Sequence, residues 1–176
     1  MILPLLSCDP GKHHVGLALW APTGPGSTWE LQGAKLEEFD HPSEAAAAAV
    51  DFVGRGRFRV AVEVPQVYSA GFSKGDPNDL IDITVVAGAV LGAGDLTSIW
   101  FRPREWKGQV DGDVMIARIR SKLTQKEMDR VCLPTKRHGK GVRISVAHNV
   151  FDAIGVGLYA LQKLGHKRQP LREIPT

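Results

Sequence analysis

Residues 2–20 read Ile-Leu-Pro-Leu-Leu-Ser-Cys-Asp-Pro-Gly-Lys-His-His-Val-Gly-Leu-Ala-Leu-Trp, and this stretch decides the fold. An apolar run from Ile2 to Cys8 stops at Asp9-Pro10-Gly11, where Pro removes a backbone donor and Gly permits a tight turn. A second apolar run resumes at His14 and ends at Trp20. Two short strands separated by turn residues predict a hairpin. Pro22 to Ser27 reads as loop, and Thr28 to Phe39 supplies a third strand.

Outward from this meander, helices and strands alternate. His41-Pro42-Ser43-Glu44 followed by five alanines predicts a helix through Val53, stopped by Gly54. Arg57 to Val64 becomes continuously apolar, as a strand buried on both faces does. Asn78-Asp79 is read as the cap of a helix from Leu80 to Leu91, whose Ala87, Gly88, Ala89 and Ala93 give it a smooth surface. Ser98 to Phe101 is a short fifth strand, the spacing of Val114, Met115, Ile119 and Leu123 is helical, and a last helix runs from Val146 to Leu164. The order predicts an α/β layer with a mixed sheet.

At 176 residues, against about 100–200 residues per domain, the chain is one domain over residues 1–165 with a polar, basic tail at 166–176. Charged residues interrupt every apolar run before the roughly 18 residues that a bilayer span needs. The start lacks a basic flank and reads as a strand, not a signal peptide. Cys8 and Cys132 alone make neither a disulfide framework nor a four-thiolate zinc site, so a reduced, cytoplasmic protein is expected. The net charge of +3 hides an asymmetry: residues 1–90 hold 6 Lys/Arg against 11 Asp/Glu, and residues 91–176 hold 16 against 8. An acidic centre in the first half and a polyanion-binding surface in the second are one reading; a solvated basic face is the other.

Four residues stand out chemically. Asp9 ends the first strand, and Glu63 ends the fourth between Val62 and Val64, where an ionised carboxylate is costly unless paired, protonated or bound to a cation. His148 and Asp152 stand four apart on the last helix and share a face. Each has an ordinary structural reading: a turn, a strand end, a helix cap. Together, three carboxylates and an imidazole suit Mg²⁺ or Mn²⁺. Two such ions about 4 Å apart activate water and stabilise the leaving oxygen in phosphodiester hydrolysis.

Three segments carry a family resemblance. Ser7-Cys8-Asp9-Pro10-Gly11 through Gly16, the strand Val60-Ala61-Val62-Glu63, and His148-Asn149-Val150-Phe151-Asp152-Ala153 resemble, in order, the signatures of RuvC-like Holliday-junction resolvases. Leu80 to Gly94 and Pro103 to Gly108 resemble most the phage and divergent branches of that family. The resemblance spans residues 3–163. It implies an RNase H-like mixed five-stranded sheet flanked by helices. It also implies a homodimer that nicks four-way DNA junctions symmetrically with two Mg²⁺ or Mn²⁺ ions per site. Asp9, Glu63 and Asp152 match the acidic ligands. The family's other last-helix ligand is often an Asp at the position of Asn149; some members use histidine, which assigns the role to His148. The junction-stacking aromatic usually lies where this chain has Gln66, so Tyr68, two residues on, is the candidate.

Lys107, Lys136, Arg137, Lys140 and Arg143 are the expected phosphate contacts. Trp106 is either a stacking residue or the core anchor of a short helix. Leu80, Ile83, Ala87, Gly88 and Leu91 recur at helical spacing; part of this face is expected to pack on the chain's own sheet, and the remainder to meet the same helix of a second subunit. Two rival readings remain: a sugar-kinase or actin-type ATPase fragment, and a branched-DNA-binding protein of the same fold that does not cut.

Overall fold

The computed structural model describes residues 2–24, 28–54, 56–66, 76–134 and 144–162, with backbone only for Pro77 and residues 144–146. A five-stranded mixed sheet has the order β3-β2-β1-β4-β5. β1 (Leu5–Pro10), β2 (His14–Pro22) and β3 (Trp29–Glu38) form the antiparallel meander. β4 (Arg59–Glu63) lies parallel to β1, and β5 (Ile99–Phe101) parallel to β4. The mixed α/β architecture expected from the sequence is the one observed.

Helices cover both faces. α1 (Pro42–Val53) and α2 (Pro77–Gly92) pack on one; α4 (Gly112–Arg120) and α6 (Ile144–Ala160) lie over the other. Two single turns, α3 (Pro103–Trp106) and α5 (Gln125–Met128), complete the order. The cap of α2 differs from the expected Asn78-Asp79: Asp76 accepts from Asn78 N at 2.9 Å, and Pro77 takes the first turn, where its missing N–H costs nothing. α6 begins at Ile144, two residues earlier than its apolar spacing indicates. None of the described helices is long and apolar enough to cross a membrane.

Strand alternation divides the core in two. Leu6, Cys8, Val60 and Val62 face α1 and α2, whereas Leu5, Ala18 and Ala61 face α6. With period two, Asp9 and Glu63 fall on the α6 side. The β1–β4 ladder runs from Leu5–Arg59 to Cys8–Val62, so Asp9 and Glu63 are the next residues, at the same edge of the sheet.

α6 reaches that edge because small residues let it approach. A Cβ on Gly16, the ladder partner of Asp9, would lie 2.0 Å from the Asn149 carbonyl oxygen. A Cβ on Gly157 would lie 2.5 Å from Ser7 Oγ. That hydroxyl accepts from Trp20 Nε1 at 2.9 Å and donates to the Ala18 carbonyl at 3.2 Å, so the small polar residue on the buried face is satisfied. Glycine inside a helix costs about 1 kcal/mol relative to alanine; here close packing of α6 on the sheet offsets it.

The free edge of β3 is partly covered. Glu127, in α5, accepts from Leu31 N at 2.9 Å, and Ala34 exchanges backbone hydrogen bonds with Arg130 and Cys132. Such cover removes a template for edge-to-edge pairing.

The Gly16 contact is with backbone, which cannot swing aside. Gly16→Ala is expected to destabilise the protein by about 2–3 kcal/mol, as overpacking does. Urea denaturation measures this, and an unchanged midpoint would show that α6 is not held at the distance described.

Candidate active site

Three elements converge on one edge. Asp9 comes from the end of β1, Glu63 from the end of β4, and Asp152 from the middle of α6. A fourth element brings a cation. β5 places Phe101 beside Glu63, and Phe101 packs edge-on against Tyr159 of α6 with ring centroids 5.0 Å apart. The chain then turns at once into α3, whose start is fixed by Glu105 accepting from Arg102 N at 2.6 Å. One turn later Trp106 and Lys107 point back toward the carboxylates. Gly108, at φ +65°, redirects the chain toward α4 in a backbone conformation that favours glycine.

The contacts are charge-assisted. Lys107 Nζ donates to Asp152 Oδ2 at 2.8 Å and lies 3.7 Å from Glu63 Oε2. Trp106 Nε1 donates to the same Glu63 oxygen. Trp106 is fully buried, and Lys107 Nζ stands 4.9 Å from the centre of its ring. Asp9 is only 9% exposed.

Burial and like charge act together on the acids. Burial first, then the neighbouring Glu63 and Asp152, push the Asp9 carboxyl well above the usual range, against the opposing pull of Lys107. Burial raises Glu63 to about 7; Lys107 opposes this, Asp152 adds to it, and the Trp106 hydrogen bond opposes it. Lys107 is held above its ordinary value: burial would lower it, but Glu63 and Asp152 outweigh that. Cys8, next to Asp9 but on the opposite face, is driven up by burial and then by the Asp9 charge, so its thiol is inert.

Among the described residues, no three His, Cys, Asp or Glu side chains are gathered closely enough to hold a metal ion as they stand. The donor set nevertheless suits a hard divalent cation: carboxylate oxygens from one buried and two partly buried acids, with one ammonium between two of them. A cation entering there must take over Asp152 and Glu63 from Lys107.

The other sequence candidates divide into those that the structure describes and those that it does not. The His148 ring packs toward the start of α4: a Cβ on Gly112 would lie 3.2 Å from its Cε1 and 3.3 Å from its Nδ1. Lys107 proves to be a member of the carboxylate cluster rather than a surface cation. Tyr68, Lys136, Arg137, Lys140 and Arg143 fall outside the described residues, as does the tail at 166–176. Sequence reasoning missed the Trp106–Glu63 bond. Its two halves were visible separately, as a buried indole N–H that needs an acceptor and a carboxylate in an apolar strand that needs a donor.

No protein-family model and no curated protein matches the sequence. Solved structures do match in fold. RuvC of Thermus thermophilus in complex with a Holliday junction substrate aligns at TM-score 0.59 and 18% identity, over 92% of this chain and 94% of that one. A second Thermus thermophilus RuvC structure aligns at TM-score 0.55 and 18% identity, over 93% and 97%. The fowlpox virus resolvase bound to Holliday junction DNA aligns at TM-score 0.53 and 16% identity, over 92% and 99%. The chain therefore has the RuvC-like resolvase fold.

The raised acids give a signed pH dependence. A folded state that binds protons more tightly than the unfolded chain is most stable at low pH, and loses that share as pH rises through the folded pKa. For Glu63 the window runs from 4.5 to about 7. Without divalent cations, Glu63→Gln is expected to gain on wild type across this window, by an amount on the order of 3 kcal/mol at its upper end. Urea denaturation in chelator at several pH values measures the difference. Parallel profiles would mean that Glu63 carries no such penalty.

Proposed function

We propose that this chain is a divalent-cation-dependent, structure-selective endodeoxyribonuclease that resolves four-way DNA junctions by paired symmetric nicks. The observation that carries the reading is the convergence of Asp9, Glu63 and Asp152 at one sheet edge, where Glu63 and Asp152 raise Asp9 and Asp152 raises Glu63. These three carboxylates, with His148 as the proposed fourth ligand, would hold Mg²⁺ or Mn²⁺, two ions per site. Bound there, the ions would polarise the phosphodiester and lower the pKa of the attacking water. The fold likeness to resolvases bound to junction DNA supports the choice of substrate.

The protein's own residues supply binding and geometry. Arg102, Arg104, Arg118, Arg120 and Lys122 are exposed on the stretch 102–122, which contains α3 and α4. They join Lys136, Arg137, Lys140 and Arg143 as proposed phosphate contacts, with Tyr68 as the proposed stacking residue. Salt-dependent binding follows from this charge.

Two opposed nicks need two sites, and α2 is the proposed dimer surface. The exposed face coincides with the stripe expected from sequence only at Gly88. Ala87 is buried, and Leu91 packs with the α1 layer. The side turned to solvent carries Ile81 at 61% and Val85 at 51% exposure, followed by the open glycines Gly88 and Gly92. Burying each large residue contributes about 1.5–3 kcal/mol. Ile81→Glu combined with Val85→Glu is expected to give a monomer by light scattering at micromolar concentration. A wild type that is itself monomeric, with and without junction, would remove the dimer.

The Lys107–Asp152 ion pair also favours a second reading, in which the ammonium neutralises the centre permanently and the protein binds branched DNA without cutting it. A labelled four-way junction titrated with Mg²⁺ or Mn²⁺ separates the two. The nuclease reading expects nicking that falls by more than about a hundredfold in Asp9→Asn, Glu63→Gln or Asp152→Asn, since even loss of a residue supporting a ligand costs 10–100-fold. Junction binding should persist or strengthen. A gel shift with no cleavage in either metal would favour the binding protein.

A further inference from the structure

Glu63 is held by a residue that none of the catalytic motifs includes. Trp106 is fully buried, yet its indole N–H is spent on a carboxylate and not on a backbone carbonyl. Its ring is wedged where α6 makes room: a Cβ on Gly155 would lie 2.3 Å from Trp106 Cζ3 and 2.8 Å from Cη2. Gly155 is three residues beyond Asp152, so one helix both presents an acid and seats the ring that grips the other. The ring belongs to the same buried cluster as Met115, Ile119 and Ile154. Lys107, the next residue, reaches Asp152.

We infer that Trp106 is the positioning residue of the site. Its indole N–H fixes the rotamer of Glu63 on a rigid part of the core, so that the carboxylate is presented to a cation without first having to be ordered. This rests on the cation-dependent reading above. A flexible Glu would lose rotamer freedom on binding; one already locked by a buried donor loses less. The ring is also too far inside to stack on a base, which settles Trp106 as a core residue with a second duty.

Trp106→Phe keeps an aromatic ring in the core and removes the donor together with part of the indole, so the double variant with Glu63→Gln separates the lost bond from the lost packing. Two measurements on the full chain test the inference without DNA. The first is Mn²⁺ affinity by calorimetry in wild type, Trp106→Phe, Glu63→Gln and the double variant. Loss of a group that orients a ligand weakens metal affinity 10–100-fold. Trp106→Phe is therefore expected to bind Mn²⁺ about tenfold more weakly or worse, and the double variant no more weakly than Glu63→Gln alone. The second is the set of indole N–H resonances from the four tryptophans, with the Trp106 signal identified by its loss in Trp106→Phe. Glu63→Gln is expected to shift that signal most.

A folded Trp106→Phe with unchanged Mn²⁺ affinity would overturn the inference, because a purely structural role lowers the melting temperature and leaves the affinity alone. So would a Trp106 resonance indifferent to Glu63→Gln. If wild type takes no Mn²⁺ while the resonance does respond, the cation reading falls and the hydrogen bond stands.

Discussion

At one edge of the sheet Asp9, Glu63 and Asp152 are held in one another's field with Lys107 as their common counter-charge, and much of the chain is arranged to impose this. Raising Glu63 to about 7 corresponds to a penalty on the order of 3 kcal/mol once it ionises, a sizeable share of the 5–15 kcal/mol that usually holds a domain together. Nothing in the packing alone would select such a group. The parallel β1–β4 pair puts two acids side by side, the glycines under α6 let the third approach, and the β5–α3 return delivers the indole and the ammonium. Each of these devices acts on the same few ångströms.

That penalty is what ties structure to chemistry. Carboxylates that repel one another in a buried place bind a proton, an ammonium or a divalent cation more avidly than free ones do. In the structure the ammonium of Lys107 serves, at 2.8 Å from Asp152. One positive charge cannot satisfy three acids at high pH, so a dication has an electrostatic reason to displace it. The proposed nuclease and the proposed non-cutting binder differ only in whether that displacement happens.

Much of the fold was legible in the sequence because strong local signals agreed with it. Asp9-Pro10-Gly11 marked where the first strand ends, while the face that Asp9 takes emerged only from the observed split between Leu5 and Leu6 with Cys8. Glu63 betrayed itself by its apolar neighbours. Other features depended on tertiary placement. Periodicity showed that α2 has an apolar, small-residue surface, but which side meets the sheet was settled by packing, so the exposed residues are Ile81 and Val85. The cap moved to Asp76 because Pro77 claimed the first turn. Lys107 looked like one basic residue among many, since a charge carries no local sign of its partner. The Trp106–Glu63 bond joins residues 43 apart in the chain through a strand pairing and a turn, and no short-range pattern encodes it.

The central claim is that a divalent cation replaces Lys107 among these acids. Anomalous diffraction at the manganese edge, from crystals grown with Mn²⁺, tests it most directly. The account predicts density bounded by Asp9, Glu63 and Asp152, with the Lys107 ammonium withdrawn from Asp152 and the His148 ring turned to the metal. An empty cluster with Lys107 still on Asp152, at Mn²⁺ concentrations that fill other sites, would contradict it.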